Sequence, residues 1–120
     1  MNMSAQINIT LDSYRIDENQ PYGSKVGTLM ATSFNPTETF IFQLDDSVNG
    51  TFALFSGNTA NSRILVATKQ LDYETKKTYT VTVRVFGHRG RTNFEVFEIV
   101  VSIIENKNFK SSNTILVILI

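Results

Sequence analysis

Seven short runs of alternating apolar and polar residues limit this chain to one kind of architecture. The runs are rich in Val, Ile, Thr, Phe and Tyr, and turn-forming segments such as ENQPYGS and DDSVNG separate them. No window of eleven or more residues carries the i, i+3, i+4 apolar spacing of an amphipathic helix. The pattern predicts an all-β domain, a seven-stranded antiparallel Greek-key sandwich of the immunoglobulin-like kind. The predicted strands lie within residues 5–11, 25–31, 39–44, 51–57, 63–68, 78–86 and 93–104.

The run at residues 78–86 shows the alternation most clearly. Its odd-numbered positions from Tyr79 to Val85 are apolar, whereas Thr80, Thr82 and Arg84 are polar. Successive side chains of a strand point to opposite faces, so the apolar set is predicted to face the core and the polar set to face water. Applied along the chain, this reasoning predicts a core that includes Ile9, Val26, Leu29, Phe42, Phe52, Leu54, Leu65, Leu71, Tyr79, Val81, Val83 and Ile99.

The composition excludes several classes of function. Eleven basic and eleven acidic residues cancel across the 120-residue chain, which leaves no basic surface footprint for nucleic acid. The absence of cysteine excludes disulfide frameworks, zinc fingers and thiol catalysis. No nucleophile elbow, phosphate loop or dinucleotide fingerprint occurs. We therefore expect a single domain that is not an enzyme and does not bind nucleic acid.

Four segments, in order along the chain, resemble the motifs of a cadherin repeat. IDENQPYGSKVGTL at residues 16–29 is similar to the family's opening signature, and GTFALFSG at 50–57 is similar to a short middle strand. LDYET at 71–75 matches a Leu-Asp-x-Glu motif before a long strand, and IENKN at 104–108 lies at the place of the Asp-x-Asn-Asp-Asn linker. The resemblance covers about residues 7–108. It implies an extracellular cell-adhesion or spacer module, one repeat of a longer cell-surface or secreted ectodomain. Its implied partners are adjacent repeats and other proteins, homophilic ones included.

The resemblance also implies a calcium site at the C-terminal end of the domain. Ca²⁺ takes six to eight oxygen ligands and accepts carboxylates with one or both oxygens. The positions that match the family's ligands are Glu18, Asp72, Glu74, Asn106 and Asn108. The two linker aspartates are replaced by Ile104 and Lys107, so an ammonium stands in the place of a carboxylate. We therefore expect an incomplete site with weak or absent calcium binding in the isolated domain, and Lys107 as a partial charge substitute for the ion.

The N-terminal half departs from the family in another way. Ser33 and Asn35 stand where the family has an Asp-x-Asp after its second strand, and Gly87 stands where it has an Asp after the sixth. These departures predict a first repeat, or a repeat whose N-terminal junction is free of calcium. Phe34 and Phe86 lie beside the altered positions. They are either partly buried under a loop or form an apolar contact patch in place of a calcium junction.

The domain is predicted to span residues 1–108, followed by an apolar tail at 109–120. The final seven residues of the tail are apolar except for Thr114. They are fewer than the roughly twenty that cross a bilayer, so we expect no membrane span within this sequence. The tail is the start of a membrane helix, an additional edge strand, or sequence foreign to the domain.

A second functional interpretation remains open beside the adhesion module. The chain could be a carbohydrate- or protein-binding β-sandwich appended to a secreted bacterial protein. Carbohydrate recognition usually employs an aromatic stacking platform, and the chain has no Trp. Tyr14, Tyr22 and Tyr73 would then have to supply it.

Overall fold

Two four-stranded β-sheets lie face to face in the computed structural model, which describes residues 6–104. The first sheet has the strand order β1-β3-β6-β5 and the second has the order β2-β8-β7-β4. A single turn of 3₁₀ helix at His88–Gly90 connects β7 to β8. This arrangement confirms the predicted all-β sandwich. The strands are β1 (Ile7–Leu11), β2 (Arg15–Asp17), β3 (Ser24–Ser33), β4 (Ile41–Asp46), β5 (Phe52–Ser56), β6 (Ser62–Ala67), β7 (Thr78–Phe86) and β8 (Thr92–Ser102).

The structure adds an eighth strand to the seven that the sequence predicts. The added strand is β2, which pairs in parallel with the end of β8, Ile16 lying opposite Val101. All other strand pairs within residues 6–104 are antiparallel. The three residues of β2 contain one buried apolar side chain, Ile16, and are too short to display an alternating pattern. The sequence predicted antiparallel pairs throughout the sandwich. The structure has one parallel pair, β2 with β8.

The core lies between the two sheets and is built largely from the predicted residues. Nine of the predicted positions are buried, and the other three, Phe42, Leu54 and Tyr79, are half-buried and contact the core. The rings of Phe52 and Tyr79 meet edge to face across the sandwich, with centroids 5.5 Å apart. The buried predicted residues are Ile9, Val26, Leu29, Phe52, Leu65, Leu71, Val81, Val83 and Ile99.

The chain changes sheets between β1 and β2, and Gly27 makes this crossover possible. A Cβ atom built on Gly27 would overlap the backbone of Ser13, which crosses directly over β3 at this point. The crossover is fixed on β3 by two hydrogen bonds: Asp12 N–H donates to the Thr28 carbonyl (3.1 Å), and Thr28 N–H donates to Asp12 Oδ1 (2.7 Å). Glycine is required here for close backbone approach, in a strand that also contains a bulge between Lys25 and Gly27.

The strands place two sets of loops at opposite ends of the sandwich. The N-terminal pole consists of residues 33–38 and 87–91, since Ile7 at the start of β1 pairs with Ser33 at the end of β3. The C-terminal pole consists of residues 18–20, 71–76 and 102–104, where β2 and β8 end side by side. Strand β8 runs from one pole to the other. The first and last described residues therefore lie at opposite ends of the domain.

Candidate functional site at the two poles

Glu18 joins three segments of the chain at the C-terminal pole. Its side chain is buried, and each carboxylate oxygen accepts a backbone hydrogen bond. Tyr73 N–H donates to Oε1 at 3.1 Å and Ile104 N–H donates to Oε2 at 3.0 Å. An ionised carboxylate offers about four lone-pair sites, so these two bonds leave about half of its acceptor capacity unused. Glu18 therefore holds the pole together while keeping some capacity for a further ligand.

Asp72 organises the loop next to Glu18. Its Oδ1 accepts a hydrogen bond from Glu74 N–H (3.0 Å), and its Oδ2 accepts one from the Thr75 hydroxyl (2.8 Å). This is an Asx turn, in which an aspartate side chain stabilises the backbone two residues on. The side chain of Glu74 is exposed. The Asx turn thus gives Asp72 a local structural role, whereas it uses only the backbone amide of Glu74 and does not account for an acidic side chain at that position.

The predicted calcium ligands share a pole but do not form a ready-made metal cluster. Within residues 6–104, no three His, Asp or Glu side chains are arranged to hold a metal ion. Glu18 and the 71–76 loop are adjacent, since Asn19 N–H also donates to the Leu71 carbonyl at 2.8 Å. Asn106, Asn108, Lys107 and the tail at 109–120 lie outside the described residues. The calcium site therefore stays a prediction.

Glu38 is the functional candidate that the sequence analysis missed. It lies at the N-terminal pole between β3 and β4, and its side chain has no exposed surface. The Ser33 hydroxyl donates to its Oε1 at 2.5 Å, and the backbone amide of His88 donates to its Oε2 at 2.7 Å. The Arg91 guanidinium forms an ion pair with Oε1. A buried carboxylate is thus matched by a hydroxyl, an amide and a permanent positive charge.

These donors keep Glu38 ionised in spite of its burial. The amide of His88 is the largest cause that lowers the pKa of Glu38, and the Ser33 hydroxyl is the next. Burial acts in the opposite direction, while the hydrogen bond and charge of Arg91 lower the pKa further. The net effect is a pKa of about 2, against an ordinary value of 4.5. Glu38 therefore carries a full negative charge at neutral pH.

Two neighbouring residues, Gly87 and Asn61, accommodate Glu38 and fix the backbone around it. A Cβ atom built on Gly87 would overlap the carboxylate of Glu38, so a larger residue at this position would force that carboxylate to move. Asn61 holds the backbone on either side, donating to the Glu38 carbonyl (2.9 Å) and accepting from Phe40 N–H (3.1 Å). The sequence contained one usable signal: an acidic residue, Glu38, lies in the loop that follows the altered positions Ser33 and Asn35.

A group of exposed apolar side chains covers one end of the second sheet on the side facing away from the core. We call Ile41, Phe86, Phe94 and Val96 the outer apolar face; they are 36–68% exposed. Register places Ile41 directly opposite Phe86, and Phe94 lies opposite Arg84 on the neighbouring strand. The Arg84 guanidinium lies 5.1 Å from the Phe94 ring centroid and pairs with Asp45 at 2.7 Å. The face thus combines apolar surface with one stacked cation.

Comparison with known proteins identifies related domains. A family model described as the Cadherin domain matches residues 12–104. The structure of PcdhgB3 EC1-4 is 22% identical over 82% of this chain and 24% of its own, with a TM-score of 0.67. A protocadherin gammaB7 EC3-6 structure gives 23% identity, 82% and 25% coverage, and a TM-score of 0.64. The human Desmocollin-1 ectodomain gives 15% identity, 88% and 22% coverage, and a TM-score of 0.58.

These matches extend over only part of each solved protein. The chain spans about a quarter of the length of the structures that it resembles. None of the curated proteins compared with the chain matches it. Within the part of the chain that the structure describes, no helix has the length and apolar character to cross a membrane.

Proposed function

This chain belongs to the cadherin domain family, and on that premise we propose that it is one repeat of a longer extracellular ectodomain, with an adhesive or spacer role. The observation that carries the adhesive role is the outer apolar face. Four large apolar side chains cluster there on a surface that solvent reaches. Such a patch is typical of a protein-binding surface. We propose that its partner is another protein, either a second copy of the domain or a different chain, and that the domain is not an enzyme.

No observation favours the carbohydrate-binding alternative. Tyr14 and Tyr22 are exposed, but Tyr73 is half-buried, and the Lys77 ammonium lies 5.0 Å from its ring centroid. The third tyrosine of the expected stacking platform is thus already engaged by a cation within the chain.

We further propose that the C-terminal pole is an incomplete calcium site. Glu18, Asp72 and Glu74 would supply carboxylate oxygens, and Asn106 and Asn108 would add ligands from the linker. Part of this oxygen set already accepts hydrogen bonds, and Ca²⁺ needs six to eight oxygens, so the set falls short of a full shell and an adjacent repeat would supply further ligands. Affinity of the isolated domain should lie at or beyond the roughly 10⁻⁴–10⁻³ M of extracellular modules. The proposed domain ends at residue 108, with 109–120 as a separate tail.

Titration calorimetry tests the calcium proposal. The unaltered chain should bind calcium weakly or not at all. Lys107→Asp should strengthen binding and lower the stability of the calcium-free domain, because a carboxylate replaces the ammonium at the linker. Submicromolar binding by the unaltered chain would contradict the incomplete site. A Lys107→Asp variant with unchanged affinity and stability would show that Lys107 does not point at the cluster.

Bead aggregation tests the adhesive role with a matched control. Beads coated with the domain should aggregate, and Ile41→Lys or Val96→Lys should prevent this by placing a charge on the outer apolar face. Thr80→Lys, on the same side of the same sheet opposite Glu98, should leave aggregation unchanged. Equal melting temperatures would show that all variants are folded. Beads that never aggregate at any coating density would exclude homophilic adhesion and leave either a different chain as the partner or the spacer role.

A further inference from the structure

We infer that the N-terminal pole is closed by a cation built into the chain: the Arg91 guanidinium neutralises the buried carboxylate of Glu38, and no divalent ion takes that role. This inference goes beyond the proposed function, because it does not depend on what the outer apolar face binds. Membership of the cadherin family implies calcium at both poles. The residues present at the N-terminal pole therefore have to be tested for their fit to an ion.

The oxygens of Glu38 are not available to an incoming ion. Oε1 accepts from the Ser33 hydroxyl and from Arg91, and Oε2 accepts from the His88 amide. The side chain has no exposed surface through which an ion could approach. A divalent cation could reach the carboxylate only by displacing Arg91, which is permanently charged and repels it at contact distance. Three of the roughly four acceptor sites of the Glu38 carboxylate are therefore occupied, and the group is closed off from solvent.

The three positions that correspond to family ligands do not supply an alternative set. Ser33 has its hydroxyl directed at Glu38, and Gly87 has no side chain. The Asn35 side-chain oxygen accepts from both the amide (3.0 Å) and the hydroxyl (2.8 Å) of Thr37. Ser33 thus binds Glu38, Asn35 stabilises the loop that carries it, and Gly87 leaves space for its carboxylate. The residues of this pole do not fit a calcium ion.

The missing family aspartate at position 87 and the burial of Glu38 are connected, because Gly87 lies against the Glu38 carboxylate. An aspartate at this position, as in the family, would bring a Cβ atom into the space of the Glu38 carboxylate. An aspartate at position 87 is therefore incompatible with the present position of the Glu38 carboxylate. It follows that the 33–38 and 87–91 segments are joined by Glu38 to the same extent whether calcium is present or absent.

Amide NMR spectra of residues 1–120 during titration with calcium chloride test this inference. The signals of Glu38, His88 and Arg91 should keep their positions from chelator to millimolar calcium. Saturable calcium-dependent shifts at these three amides would overturn the inference. The signals of Tyr73 and Glu74 report on the C-terminal pole in the same spectra. Their response tests the proposed calcium site at the C-terminal pole and does not bear on the N-terminal pole. A failure of the calcium proposal can therefore be distinguished from a failure of this inference.

Two neighbouring substitutions give an independent test. Gly87→Asp should displace Glu38 and lower the melting temperature by several degrees. His88→Asp adds the same charge one residue later and keeps the backbone amide that Glu38 uses, so the melting temperature should change little. A Gly87→Asp variant that melts like the unaltered chain and gains calcium binding would overturn the inference. A Gly87→Asp variant that fails to fold while His88→Asp folds would support it.

Discussion

Burying a carboxylate without compensation is costly, and Glu38 avoids the cost through donors on two segments of the chain, Ser33 on one and His88 and Arg91 on the other. Its lowered pKa makes the stability of the domain depend on acid in a definite direction. A carboxyl group whose pKa falls from 4.5 to about 2 on folding stabilises the folded state above pH 4.5. That contribution is lost as the pH falls from about 4.5 to 2, because the unfolded chain takes up the proton first.

Urea unfolding between pH 7 and pH 2 should reveal this dependence. The unaltered chain should lose more stability below pH 4.5 than Glu38→Gln does. Asp45, whose pKa the hydrogen bond from Arg84 lowers, contributes equally to both proteins and cancels in the comparison. Parallel stability curves for the two proteins would contradict the role assigned to Glu38.

Gly27 permits a second residue-scale prediction. Gly27→Ala should destabilise the domain by about 1–3 kcal/mol, since the methyl group meets the backbone of Ser13 rather than a side chain that can move. Thr32→Ala, on an exposed position of the same strand, serves as a control and should cost well under that amount. Chemical denaturation measures both. A neutral Gly27→Ala would mean that the crossover between β1 and β2 can shift away from β3.

At the scale of elements, β7 shows what an alternating pattern determines. Val81, Val83 and Val85 are fully buried, as the period of two requires. Val83→Ala should cost about 1–3 kcal/mol of unfolding free energy, because apolar surface is lost from the core. Thr82→Ala on the opposite face should cost less. Equal effects at the two positions, measured by denaturant unfolding, would contradict the assignment of faces.

Elements without a periodic pattern were the ones that the sequence could not predict. Strand β2 has three residues, and its partner β8 lies more than eighty positions away, so no local signal reveals a parallel pair. Glu38 lies in a loop, where the sequence does not distinguish a buried acidic residue from a solvated one. Asp72 was interpreted from the family resemblance as a calcium ligand, and its Asx turn is visible only once the backbone is known. Long-range contacts decide the cases of β2 and Glu38, whereas a local hydrogen bond that depends on the backbone conformation decides the case of Asp72.

For the whole molecule, the tail offers the clearest test. A chain that ends at Asn108 should fold and melt like the full chain, and should be at least as soluble, if residues 109–120 are not part of the sandwich. About 1 kcal/mol shifts the melting temperature by roughly 4–8 °C in a 60–100-residue domain and somewhat less here. A fall of several degrees after truncation would instead identify the tail as a paired strand.

The parallel pairing of β2 with β8 has a mechanical consequence. These strands lie near the two ends of the described chain and run in the same direction, so a pull on both ends slides one past the other. Their hydrogen bonds, with Val100 N–H to the Tyr14 carbonyl and Glu18 N–H to the Ser102 carbonyl, then bear the load together in shear instead of opening one after another. The Glu18 carboxylate adds its bond from the Ile104 amide to the same junction. The domain would therefore resist tension along its chain at the β2–β8 pair.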